Sequence, residues 1–133
     1  MKTLYTPYKI FHFPEKLKSL PREGAATTAP LHIRIKPTNL CGHHCWYCAY
    51  KAKDLELGSD MVERDQIPPE KMREIVSDLE TIGVRAVTFS GGGDPFYYKP
   101  LLETVKRFAD GPIRFASLTN GARLSGELAE VFA

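Results

Sequence analysis

The chain has 133 residues, 43% hydrophobic and 26% charged, which is the balance of one small globular domain rather than that of a disordered or membrane chain. A net charge of +2 lies too close to neutral to argue for a nucleic-acid partner, and no run approaches the ~18 apolar residues of a membrane helix. The opening Met1-Lys2-Thr3-Leu4-Tyr5-Thr6-Pro7 leads into Phe11-His12-Phe13-Pro14-Glu15 rather than an apolar signal core, so a cytoplasmic protein with no membrane association is expected.

Residues 1–30 are punctuated by Pro7, Pro14, Pro21 and Pro30 and contain the small-residue run Gly24-Ala25-Ala26-Thr27-Thr28-Ala29. They are expected to form an N-terminal extension that packs outside a core spanning residues 31–133. Leu31-His32-Ile33-Arg34-Ile35-Lys36 alternates apolar and polar, the period of a strand with one wet face, and Pro37 stops it. Arg34 and Lys36 lie on that wet face, as a solvated edge or as a contact for an anionic substrate. The cysteine-bearing segment follows, and then a charged, irregular stretch from Lys51 to Ile67.

Pro68-Pro69-Glu70 opens a helix, with Met72, Ile75, Val76, Leu79 and Ile82 at helical spacing and Gly83 closing it. Val84 to Phe89 reads as a parallel strand buried on both faces, followed by the turn Ser90-Gly91-Gly92-Gly93-Asp94-Pro95. A second helix carries Leu101, Leu102, Val105, Phe108 and Ala109 and ends at Asp110-Gly111-Pro112. Ile113 to Thr119 is a third strand running into Asn120-Gly121, and Ser125 can cap a third helix bearing Leu128, Val131 and Phe132. This alternation predicts an α/β fold, a parallel sheet of three βα units with right-handed crossovers. Ligands of such sheets bind beyond the carboxyl ends of the strands, where the cysteine loop, the glycine turn and Thr119-Asn120-Gly121 all fall.

All three cysteines lie within Cys41-Gly42-His43-His44-Cys45-Trp46-Tyr47-Cys48. An odd, clustered set with no sign of secretion points to metal rather than to disulfides. Three thiolates on a tight loop suit an iron–sulfur cubane with one iron left open, because four would close every iron. A zinc site completed by His43 or His44 is an alternative on spacing alone. Buried thiols on one helical face are another, which Gly42 and the preceding Pro37-Thr38-Asn39 oppose by favouring a loop.

The spacing C-x-x-x-C-x-aromatic-C just after a first strand resembles the signature of radical S-adenosylmethionine (SAM) enzymes. The resemblance implies that Cys41, Cys45 and Cys48 hold a [4Fe-4S] cluster whose open iron chelates SAM, and that Tyr47 lies against the adenine. Gly92-Gly93-Asp94-Pro95 is similar to the family's G-G-E-P motif, with aspartate in place of glutamate. It implies SAM contacts at Gly91, Gly92, Gly93 and Asp94. Thr119-Asn120-Gly121 matches a frequent T-N-G at the end of the third strand and implies polar contacts to SAM or substrate from Thr119 and Asn120. His43, His44 and Trp46 occupy the family's variable positions.

Together the last two motifs look most like the branch that includes molybdenum-cofactor synthesis and the peptide-modifying, SPASM-type maturases. The implied chemistry is reductive cleavage of SAM to a 5′-deoxyadenosyl radical that abstracts hydrogen from an unknown substrate, with the electron coming from a reductant such as flavodoxin or ferredoxin. The family core is a partial (β/α)6 TIM-like barrel, so three βα units are half of it and a truncated enzyme lacking its C-terminal half is expected. A small zinc or iron–sulfur module without SAM chemistry is the alternative function.

Overall fold

The computed structural model describes residues 8–18, 23–24, 28–52 and 56–133. Two compact units divide the chain, Met1–Pro30 and Leu31–Ala133. In the first, a 3-10 turn at Lys9–His12 precedes α1, Pro14–Lys18, and the Lys16 ammonium donates to the Ala29 carbonyl at 2.6 Å. Pro7, Pro21 and Ala25-Ala26-Thr27 of the expected extension lie outside the described residues.

The second unit is a three-stranded parallel sheet with helices between its strands. β1, His32–Ile35, precedes the one-turn helix α2, Glu56–Ser59, which interrupts the stretch expected to be irregular. Next come α3, Pro69–Ile82, β2, Ala86–Phe89, and a 3-10 turn at Pro95–Tyr97. The remainder is α4, Leu101–Ala109, β3, Arg114–Ser117, and α5, Gly126–Phe132. The sheet order is β1-β2-β3, with His32, Ala86 and Arg114 in one row and Arg34, Thr88 and Ala116 in the next. Each strand is shorter than its apolar run, because residues such as Val84 and Ile113 pack into the core from the connection before pairing begins.

Helix boundaries follow local chemistry. Pro69 opens α3 where its missing N–H has no partner to lose, and Gly83 ends it in the left-handed region at φ 79°. Ser125 takes the N-cap position of α5, but its side chain makes no capping bond. Gly126, the first residue of that helix, stands at φ 56°, outside the right-handed helical region that a capped first turn adopts.

One core joins the helices to the odd-numbered face of the sheet. Met72, Val76 and Leu79 of α3 and Leu101, Val105 and Phe108 of α4 bury against Ile35, Val87 and Phe89. Phe115 of β3 and Leu128, Val131 and Phe132 of α5 extend the same layer, with the Phe115 and Phe132 rings edge to face at 5.2 Å. The even-numbered face stays open: His32, Arg34, Arg114 and Ala116 are exposed and Thr88 half-buried, accepting from or donating to the His32 ring at 2.8 Å. β2 is therefore buried on one face, not on both as its apolar run implied. α3, α4 and α5 all pack on one side, as right-handed crossovers of a parallel sheet require. This two-layer α/β arrangement is the expected half of a TIM-like barrel. Among the described residues no helix is long and apolar enough to cross a membrane.

Phe108, 1% exposed in this core, is the test of its strength. Phe108→Ala is expected to lose about 3–5 kcal/mol in a urea titration. Ile82→Ala, on a side chain 52% exposed at the end of α3, is expected to stay within about 0.5 kcal/mol of the parent.

Candidate functional site at the strand ends

The carboxyl ends of the three strands meet in one knot of hydrogen bonds. After β1 the chain turns through Pro37-Thr38-Asn39-Leu40, and its carbonyls receive the glycine turn that follows β2. The Gly93 amide donates to Thr38 O at 3.0 Å and the Asp94 amide to Leu40 O at 2.8 Å. The Thr38 hydroxyl accepts from the Leu40 amide at 3.1 Å, and the Asn39 amide is held by Asp65 O at 2.9 Å. The root of the cysteine loop is thus clamped from two sides.

The glycines serve close approach. None of Gly91, Gly92 and Gly93 has positive φ, so left-handed backbone, a common reason for glycine in a turn, does not account for them. A Cβ on Gly93 would instead fall under 3.0 Å from Leu40 O and from the Asn39 carbonyl carbon, which are backbone atoms unable to swing away. Within the loop, a Cβ on Gly42 would run into the Tyr97 hydroxyl. The Tyr97 ring is in turn covered by the Arg123 guanidinium at 3.9 Å, which ties the turn after β3 to the cysteine loop.

Asp94 is the centre of the knot. Its carboxylate is buried, at 4% exposure, and Oδ1 accepts from the Phe96 amide at 2.8 Å. The Thr119 hydroxyl reaches Oδ1 at 3.0 Å and Oδ2 at 2.8 Å, and the Asn120 amide reaches Oδ2 at 2.9 Å. The bond to an amide two residues ahead is an aspartate geometry; glutamate, one methylene longer, would overshoot it. The departure from the G-G-E-P pattern thus has a local cause. The side chain expected to meet SAM is engaged by protein donors.

The Thr119 hydroxyl also accepts from the Gly121 amide at 3.0 Å. The Asn120 side-chain oxygen accepts from the Ala122 amide at 2.9 Å, which leaves its NH2 to point at Cys41 Sγ, 3.7 Å away. A second donor, the His43 amide, stands 3.5 Å from the same sulfur. This contact between the third strand end and a cysteine is invisible along the chain, where the two residues lie far apart.

Cys41, Cys45 and Cys48 are all free thiols of intermediate burial. Cys48 N–H donates to Cys45 O at 3.0 Å, and Cys48 O receives both Lys51 and Ala52 amides at 3.0 Å, so the last two cysteines sit on a compact double turn. Beside them Tyr47 is 71% and Trp46 92% exposed, their rings edge to face at 5.4 Å. A hydrogen bond with the Cys45 sulfur, and after it the charge of Cys45, holds the Tyr47 phenol above its ordinary value.

The donor set fits an iron–sulfur cubane: three partly accessible thiols on a glycine-bearing loop, with backbone and carboxamide N–H groups turned toward one sulfur. A zinc site completed by His43 or His44 is the other reading of the same thiols, and both histidines are exposed. Among the described residues no three His, Cys, Asp or Glu side chains come together to hold one ion, which bears equally on either metal.

Comparisons with known proteins point to one family. The sequence profile of the Radical SAM superfamily matches residues 35–133. The "Probable GTP 3',8-cyclase" of Thermococcus kodakarensis is 30% identical over 102 residues, covering 77% of this chain and 31% of that protein. The "PqqA peptide cyclase" of Bradyrhizobium diazoefficiens is 30% identical over 102 residues, covering 74% of this chain and 24% of that protein. Both relatives accord with the branch that the Gly-Gly-Asp-Pro and Thr-Asn-Gly motifs resemble. The chain spans about a third or less of the length of these curated relatives. Among solved structures, that of Streptococcus suis SuiB bound to the precursor peptide SuiA shares the fold, with a TM-score of 0.65 at 19% identity over 98% of this chain and 28% of that one.

The close approach at Gly93 makes a direct prediction. Gly93→Ala is expected to force the glycine turn away from Leu40 at an overpacking cost of about 1–3 kcal/mol, read as a lowered urea midpoint.

Proposed function

The chain belongs to the radical SAM superfamily, and from that membership we propose that it holds a [4Fe-4S] cluster on Cys41, Cys45 and Cys48 and binds SAM on the same rim. The observation that carries this reading is the meeting of the cysteine loop, the glycine turn and the third strand end, through the Gly93, Asp94 and Asn120 hydrogen bonds. When bound, the cluster supplies one electron, taken from a flavodoxin- or ferredoxin-type donor, for reductive cleavage of SAM to a 5′-deoxyadenosyl radical that abstracts hydrogen from substrate.

The protein's own residues bind, orient and shield. Gly42 lets the loop wrap closely against Tyr97, and the Tyr47 ring, exposed and so open to a ligand, is the side chain assigned to the adenine. The bare backbone of Gly91, Gly92 and Gly93 offers carbonyls to the cofactor's amino group without a side chain in the way. Asp94, Thr119 and Asn120 shape the adjoining wall. No side chain here is required as a proton donor or acceptor; the work is positioning and exclusion of water.

We infer a peptide substrate from the PqqA peptide cyclase relative and from the neighbour bound to a precursor peptide. A nucleotide, as the GTP 3',8-cyclase relative's name implies for that protein, is a second reading. The observation favouring it is the group of basic side chains, His32 and Arg114 in one row of the sheet and Arg34 in the next, exposed on its open face.

Anaerobic reconstitution with iron and sulfide tests the core of the proposal. About 4 iron atoms per chain are expected, with a reduced-state electron paramagnetic resonance signal that changes when SAM is added. Cys41→Ala, Cys45→Ala and Cys48→Ala should each abolish that signal. Stoichiometric zinc with no iron uptake would overturn the assignment.

A further inference from the structure

We propose that Asn120 is a positioning residue for the cluster. Its carboxamide donates to the Cys41 sulfur and raises the cluster's reduction potential, while Asp94 and Thr119 hold it in place. The inference rests on the cluster reading above and extends it to residues that the resemblance assigned to SAM or substrate.

Every polar group of Asn120 outside its carbonyl has a fixed partner. The backbone N–H is held by Asp94 Oδ2 at 2.9 Å. The side-chain oxygen accepts from the Ala122 amide at 2.9 Å, an assignment that only an oxygen can satisfy, so the nitrogen is the atom facing Cys41 Sγ at 3.7 Å. The Thr119 hydroxyl is committed to Asp94 and to the Gly121 amide, leaving it no free proton for a ligand. Asp94 itself is anchored to the Phe96 amide at 2.8 Å. The chain of contacts runs from the buried carboxylate at the end of β2, through the end of β3, to a sulfur of the loop after β1.

An N–H dipole aimed at a ligand sulfur favours the state carrying more negative charge. In a one-electron couple that is the reduced state. With the His43 amide already 3.5 Å from the same sulfur, Cys41 receives two donors, and Asn120 is the one that substitution can remove without altering the backbone. Asn120 is exposed, so its replacement leaves the buried core untouched.

An anaerobic redox titration followed by electron paramagnetic resonance on the reconstituted protein tests this. For Asn120→Leu the reduction equilibrium constant should fall about tenfold, which is about 59 mV for one electron, with iron content and thermal melt unchanged. Asn120→Asp, nearly the same size, turns an acceptor oxygen toward the sulfur and should shift the couple further in the same direction; it carries the test alone if Asn120→Leu melts early. Thr119→Val, which removes the strut without touching the sulfur, should shift it the same way, and Thr119→Ser should restore it. Unchanged potentials in both Asn120 variants would overturn the proposal while leaving the cluster assignment standing. Iron uptake lost in both at an unchanged melt would also overturn it, by making Asn120 a residue of assembly. A parent protein that takes up no cluster would remove this inference together with the reading it rests on.

Discussion

The buried carboxylate of Asp94 organises the rim on which the rest of the site depends. A charge at 4% exposure is costly unless its lone pairs are occupied, and here three donors occupy them: the Phe96 amide, the Thr119 hydroxyl and the Asn120 amide. Hydrogen bonds to a charged group contribute about 1.5–3 kcal/mol each. Their greater consequence is geometric. β2 and β3 are in register only as far as Phe89 and Ser117, and beyond that point the sheet's own ladder no longer sets their separation. Asp94 takes over where the ladder stops.

The cysteine loop is secured differently, by backbone proximity and a stacked side-chain column. Gly93 and Asp94 donate into the Thr38 and Leu40 carbonyls, and the approach is close enough that a methyl group on Gly93 has no room. On the other side Arg123 lies over Tyr97, and Tyr97 fills the space beside Gly42. The root of the loop is therefore held rigidly, while Trp46 and Tyr47 project outward from its tip.

The one-sided packing of the sheet has a functional counterpart. Helices α3, α4 and α5 cover the face bearing Ile35, Val87 and Phe89, so the opposite face is free to carry polar and charged side chains. His32, Arg34 and Arg114 stand there, below the rim that holds the cysteines. The same strands thus carry an apolar layer on one side and polar, charged side chains on the other.

Several features were legible along the chain because they depend on neighbours in sequence. Helical spacing in Met72, Val76 and Leu79, alternation in Ile33 and Ile35, and the stop at Gly83 each reflect local periodicity and backbone sterics. The cysteine spacing was equally local, and with it the family. Tertiary structure alone decided the partners of Asp94, the reason for the glycine triplet and the contact of Asn120 with Cys41. Each of these joins segments from different strand ends, and no short-range pattern encodes which donor will meet which acceptor once the sheet has brought them together. The apolar run of β2 misled for the same reason: a run reports hydrophobicity, whereas which face is covered depends on the side to which right-handed crossovers carry the helices.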